Sequence, residues 1–486
     1  MQRQQETSPG WGSIILGTSF GIFLSALDSS IVNVSLVTIA GSLSVDMASI
    51  QWVILAYLLI ITSLMPLMGK FGDRYGKTFV FQTGMIVFIV GSLFCAFSPT
   101  LSFLVASRVF QAIGAAMMSA NGLAIVTYFT TPENRGRAIG TNSVVLAVAL
   151  AVGPVLGGIL SEFFGWASIF LVNLPIGIIG FIAVSKLIPQ TERIQETKFD
   201  TIGAVLFFLL LFLFVYTVSA LTSLESWMIL LLVGATIASF VGLIYRERTF
   251  VSPIIPTRVL ADRRISASVF SAILAYFGMI PVTFLFPFFL QEAMGFSQSV
   301  TGILMITHPL TIFATGPIAG YVSERVNGKV QTTLGLLIET IGLVFIATSI
   351  PNVPFMLIGI IIMGSGLSFF SVANGNFVMT SAPKQYMGVV SALTNIARTT
   401  GFSISTAIAT TIFSYFFLVL NPGGEIAGAV FFAAYAGAYQ IAIYSTCALV
   451  LIAAFISAFR GLSPSEVLLE RNDSQLVIFE HEQAND

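Results

Sequence analysis

Four side chains of this 486-residue chain that carry a full charge at neutral pH stand deep inside long apolar runs: Asp28, Arg108, Glu339 and Arg398. An isolated charge in hydrocarbon is expensive, so each marks a functional position or half of a buried pair. Asp28 has three jobs open to it: taking a proton, attracting a cationic ligand, or pairing with Arg108. A guanidinium competes with a proton for a carboxylate, so these two groups can couple protonation to movement. Held fixed, the same two groups would only set helix register. Glu339 divides between a proton or cation site and a buried partner of another polar group. Gly335 and Gly342 share its helical face and direct it into a close helix contact. Arg398 needs an anion, a carbonyl or a water-filled cavity. Asn33, Asn374 and Asn376 supply polar groups for the same interior. His308, before Pro309, belongs to the residue type that switches charge near neutral pH, although a neutral packing role is commoner.

The elements that must position these residues are long and apolar. The composition is 56% hydrophobic and 9% charged, with mean hydropathy +0.95, whereas soluble domains carry about 25% charge. The fold class is therefore all-α and polytopic, a membrane protein. A net charge of -1 makes nucleic acid a poor partner. The two cysteines, Cys95 and Cys447, lie inside apolar runs and offer neither a disulfide framework nor a metal motif.

Fourteen spans can be marked: 12–37, 50–69, 78–98, 101–126, 138–160, 166–187, 201–220, 226–245, 266–290, 299–322, 331–349, 353–380, 387–418 and 433–459. The first run is too long for a cleavable signal peptide and reads as span one. Apart from Arg108 and Arg398, every Lys and Arg from Arg3 to Arg471 falls on one side of this count, Arg460 included. The opposite loops hold Asp46, Glu162, Glu225, Glu292 and Glu425 and no cation. That alternation places both termini in the cytoplasm.

Between spans two and three, Gly69-Lys70-Phe71-Gly72-Asp73-Arg74-Tyr75-Gly76-Lys77-Thr78 reads as a glycine-rich charged hairpin. Its glycines permit a tight turn, and Asp73 stands just ahead of a helix amino terminus, where a carboxylate is favourable. A weaker copy, Gly316 to Arg325, follows span ten. Equivalent loops indicate two six-helix halves, 1–187 and 266–460, with two inserted helices and their flanks at 188–265. The tail 461–486 is polar, and Ser463-Pro464-Ser465-Glu466 has the form of a capping box that would start a short helix.

The order Gly-x-x-x-Asp-Arg-x-Gly-Lys resembles the motif between the second and third helices of major facilitator superfamily transporters, a gating latch on the cytoplasmic face. Thr78 replaces a basic residue often found there. Leu27-Asp28-Ser29-Ser30-Ile31-Val32-Asn33-Val34 resembles the first-helix signature of the fourteen-helix drug:proton antiporters, with Ser30, Ser35 and Val37 as departures. Arg108 to Gly114 resembles a second motif of the family. Gly153-Pro154-Val155-Leu156-Gly157-Gly158 resembles the span-five motif of its antiporters, and Asn395 to Gly401 a pattern in span thirteen. The resemblance implies a major facilitator fold with a cavity among spans 1, 2, 4, 5, 9, 10, 12 and 13. It further implies a monomeric multidrug exporter of the cell membrane. Protons would be its energy source, Asp28 the first-choice carrier and Glu339 the second, and no cofactor would be needed. Its partners would be small hydrophobic or amphipathic compounds, protons and membrane lipid. An exporter of lipid or an endogenous amphiphile would share every motif. A proton-coupled importer or a non-transporting sensor fits less well, and no catalytic constellation points to an enzyme.

Overall fold

In hydrocarbon a segment must satisfy its own backbone polar groups, so the apolar runs fold as helices. The computed structural model describes residues 11–130, 132–191, 200–221, 224–250, 261–381 and 387–461. Among them, fourteen helices are long and apolar enough to cross a bilayer. They are Gly12–Leu43, Met47–Tyr75, Lys77–Ala96, Leu101–Phe129, Gly140–Phe164, Ser168–Leu187 and Thr201–Ser219. Then come Ser226–Thr249, Arg263–Ala293, Gln298–Ser323, Gly328–Ser349, Val353–Ser381, Leu393–Leu420 and Gly428–Ala458. They are spans one to fourteen. The capping box Ser463 to Glu466 and the loop cations Arg3, Arg193, Lys198, Arg258, Lys384 and Arg471 lie outside the described residues.

Most helices overrun their apolar cores, because outside the bilayer nothing obliges a helix to stop. Polar residues set several starts: Thr100, Asp200, Asp262, Ser297 and Asn327 each accept a hydrogen bond from a backbone N–H two or three residues on. The expected hairpin at 69–78 is a correction. Span two stays helical through Tyr75 and span three begins at Lys77, so Gly76 alone makes the corner, with φ +99°. Asp73 therefore sits in the last turn of span two.

Span nine departs from α geometry. Pro281 has no N–H for the Phe277 carbonyl, which takes the N–H of Ile280 in a 3-10 turn over Tyr276–Met279. Wide π turns follow at Pro281–Leu285 and Phe289–Ala293, on either side of Phe286–Phe288. The Tyr439 hydroxyl donates to the Pro281 carbonyl at 2.9 Å.

Polar contacts between the two halves gather at the end away from the termini. Gln291 Nε2 donates to the Val34 carbonyl at 3.0 Å, and the Ser299 N–H donates to Glu162 Oε2 at 2.8 Å. Span seven lies across the seam of spans two and thirteen. Leu55 and Leu59 of span two, Phe207, Leu211 and Val215 of span seven, and Ala407 of span thirteen form one buried apolar cluster there. Thr411 donates to the Val218 carbonyl at 3.2 Å. On span seven's other flank, Arg246 Nε reaches Asp200 at 2.8 Å, tying the inserted pair together.

Candidate functional site

Spans one, two, three, four and six converge on Asp28, which is fully buried. Arg108 and Gln111, three residues apart on span four, present one face to it. Arg108 Nη1 donates to Asp28 Oδ2 at 2.5 Å; Gln111 Nε2 and Asn173 Nδ2 donate to Oδ1, each at 2.8 Å. The guanidinium has further partners: Gln111 Oε1 at 2.6 Å, the Val53 carbonyl at 3.2 Å, and the ring of Tyr57 with its centroid 4.0 Å away. Ser92 accepts from Gln111 at 2.8 Å, and the Cys95 thiol points to Gln111 Oε1 at 3.6 Å. Three donors, one of them a guanidinium, thus converge on the Asp28 carboxyl group. Removing one partner of such a buried pair costs about 3–5 kcal/mol.

Close helix approach makes this reach possible. A Cβ built on Gly114 would lie 2.5 Å from the Phe88 nitrogen, so only glycine lets span four press against span three. In the span-five motif the glycines divide their work. Gly153 packs on Ser30 and Gly157 on the Ile31 carbonyl, seating span five on span one. Gly158 faces the other half, where a Cβ would lie 2.3 Å from the Gln298 carbonyl oxygen. One turn away on span ten, Gly302 meets the carbonyl of Pro154. Glu162 completes this closure by capping the first turn of span ten.

The remaining candidates are dispersed. Asn33 is half-buried on span one, outside the Asp28 cluster. Asn374 is buried in a second polar knot: it accepts from Arg460 Nη1 at 2.9 Å and donates to the Ser268 carbonyl at 3.3 Å. Arg460, expected among the loop cations, is instead 1% exposed, with its guanidinium over Phe377. Asn376 is exposed and donates to Ser323 at 2.8 Å, joining spans twelve and ten. His308 is buried beside Gly364, its Nε2 without a partner among the described residues. Glu339 is fully buried, and neither carboxyl oxygen has a hydrogen-bond partner among them. Arg398 is half-buried and forms no hydrogen bond or ion pair with the described residues.

In the span two–three motif, Asp73 pairs with Lys77 across the Gly76 corner, and Arg74 lies exposed. Gly69 has open space around it, whereas Gly72 packs on the side chain of Asn121. Thr78, where a basic residue is often found, donates to the Pro189 carbonyl at 2.8 Å and fastens the corner to the end of span six.

Sequence reasoning gives Gln111 and Asn173 no role beyond their place in motifs and passes over Ser92 and Tyr57. Gln111 had a usable signal, being one helical turn from an intramembrane arginine. Ser92 and Tyr57 carry none, because serines and tyrosines are common in such helices.

Comparison with known proteins accords with this geometry. The sequence model of the Major Facilitator Superfamily matches residues 18–406 and 268–473. The riboflavin transporter RibZ of Clostridioides difficile is 34% identical over 405 residues, covering 82% of this chain and 88% of that protein. The methylenomycin A resistance protein of Bacillus subtilis is 27% identical over 471 residues, 95% of this chain and 98% of the relative. Among solved structures, a bacterial homologue of the human lysosomal transporter Spinster, in an inward-facing and unoccupied conformation, matches with TM-score 0.66. It is 18% identical, and the match covers 93% of this chain and 97% of that one.

Proposed function

The chain belongs to the Major Facilitator Superfamily, and on that premise we propose that it is a proton-coupled antiporter of the cell membrane. It exports small hydrophobic or amphipathic compounds by alternating access, acts as a monomer, and has both termini in the cytoplasm. The proton gradient supplies the energy. The observation that carries the reading is the buried Asp28–Arg108 pair. When Asp28 takes a proton, Arg108 keeps Gln111, the Val53 carbonyl and the face of Tyr57. It therefore has somewhere to rest while the carboxyl is neutral. Both residues stand in the same half, so rocking of the halves alone does not part them. Release requires span one to shift against span four.

Export as the direction is supported by the resemblance of Gly153 to Gly158 to the antiporter motif, and by likeness to a resistance protein. Likeness to a riboflavin transporter favours a second reading, in which the substrate is a flat heteroaromatic compound. The test is substrate-driven proton movement by purified protein in liposomes, over a panel of amphipathic cations, lipid-like amphiphiles and riboflavin. Asp28→Asn should lose proton antiport while retaining binding and downhill exchange of an uncharged substrate. Antiport at wild-type rate by this variant would remove Asp28 as the carrier. Exchanging the two charges restores function only if the pair is a fixed register device.

A further inference from the structure

We propose that Glu339 is a second proton site within the membrane, in the other half, whose occupancy sets the form of span nine, with Arg398 as its partner once the proton leaves. The inference deepens the proton-coupled reading, and its test is chosen so that the two fail separately.

The first observation is the carboxyl group itself. Glu339 is fully buried on span eleven, and neither of its oxygens has a partner among the described residues. Leaving a neutral polar group unpaired costs about 1–3 kcal/mol. An unpaired buried ion costs at least several kcal/mol, and far more in a dry site. The protonated acid is thus the form this conformation can hold.

The second observation is where the group points. A Cβ on Gly278 would lie 2.2 Å from Glu339 Oε1, so the carboxyl rests against the bare backbone of span nine. That contact falls inside the 3-10 turn Tyr276–Met279, directly before the π turn Pro281–Leu285. Mid-helix 3-10 stretches mark hinges, and π turns recur at functional sites. From behind, Gly366 of span twelve presses on the Glu339 backbone, where a Cβ would lie 2.3 Å from its nitrogen. Span eleven cannot retreat there, so a change of charge on Glu339 is felt by span nine.

The third observation identifies the partner. The titratable groups within electrostatic range of Glu339 are Tyr276 of span nine and Cys447 of span fourteen. Tyr276 also lies within electrostatic range of Arg398. Arg398 has no anion of its own among the described residues. Span thirteen is seated tightly on span nine here: a Cβ on Gly401 would lie 2.5 Å from the Ile273 carbonyl, and the rings of Tyr276 and Phe402 are 5.4 Å apart. Loss of the proton leaves a buried anion, and Arg398 is an unpaired cation that shares Tyr276 with it. Moving the Tyr276 side chain repacks the hinge. The step moves one proton, from the carboxyl to water admitted when the hinge opens.

The experiment uses the full chain in liposomes across an acid-to-alkaline pH series, without substrate or gradient. Infrared difference spectra read the carbonyl stretch of a protonated, dry carboxyl group. Pulsed electron paramagnetic resonance reads the distance between spin labels at Phe163 and Val300, exposed positions on spans five and ten; the native cysteines are buried. Wild-type protein and Asp28→Asn should both show the acid band at low pH and a distance change as it disappears. Glu339→Gln should lack the band and hold the acid distance throughout. Arg398→Met should move the loss of the band to higher pH, a result that does not depend on Glu339→Gln folding. The proposal is overturned if wild-type protein shows no such band, if Asp28→Asn abolishes it, or if Arg398→Met leaves its midpoint unchanged. If Asp28→Asn stops antiport while the band and distance change persist, both readings stand. If Asp28→Asn transports normally and the band persists, only the earlier reading falls.

Discussion

Gly158→Ala perturbs the contact that closes the bundle at its distal end. The new Cβ would lie 2.3 Å from the Gln298 carbonyl oxygen, 2.9 Å from its carbon and 3.0 Å from the Ser299 Cα. Ordinary contact begins at 3.4 Å, so span ten must withdraw by about 1 Å. Its neighbours there are backbone atoms, which have no rotamer to change. Overpacking of this kind costs roughly 1–3 kcal/mol. The closed arrangement alone bears that cost, since an open distal end parts spans five and ten. The ratio of open to closed molecules should therefore rise roughly 5- to 150-fold, tenfold for each ~1.4 kcal/mol. Spin labels at Phe163 and Val300 give both populations in one distance distribution. Gly316→Ala, on the same span ten with open space around it, is the control and should leave the distribution unchanged. A folded Gly158→Ala protein with wild-type populations would instead make Gly158 a tolerant packing position with no part in closing the distal end.

Two further outcomes are expected. Asp73→Asn removes one half-exposed pair with Lys77, worth no more than about 1 kcal/mol of stability. Transport assays should show a steep loss of export while the melting temperature barely moves; near-normal export would reduce this corner to a topology anchor. Single cysteines near Asp46 and Glu425 should react with membrane-impermeant reagents from outside the cell, and one near Arg263 should not. Labelling of the last from outside would reverse the orientation drawn from the loop cations.

Much of the scaffold is legible because the bilayer imposes a simple demand. A run of about 20 apolar residues must be a helix, and its ends must be wet. The fourteen spans follow from that, and Asp28, Arg108, Glu339 and Arg398 stand out as candidates, since charge amid apolar residues is visible in one dimension. What is hidden depends on which helices touch. Arg460 looks like a loop cation because it follows an apolar run, yet Asn374, 86 positions earlier, draws it inside. Glu162 looks like an outside-loop acid, yet it caps a helix of the other half, 137 positions away. Pro281 is plain in the sequence. The 3-10 turn before it gains a candidate role only where Glu339 meets Gly278. Glycines mislead in the same way: Gly72 suggests a turn, but its missing side chain serves Asn121.

Under the proposed export, the inserted helices also bear on how compounds dissolved in the membrane would reach the interior. Two halves that rock against each other present two side doors to lipid, one along each seam. Here span seven is laid along the seam of spans two and thirteen, with Trp52 packed on Phe212 and Tyr216 at ring separations of 6.2 and 5.8 Å. Closing that door makes sideways entry lopsided. A greasy molecule leaving the bilayer meets a helix on one flank, and on the other the glycine-lined junction of spans five and ten.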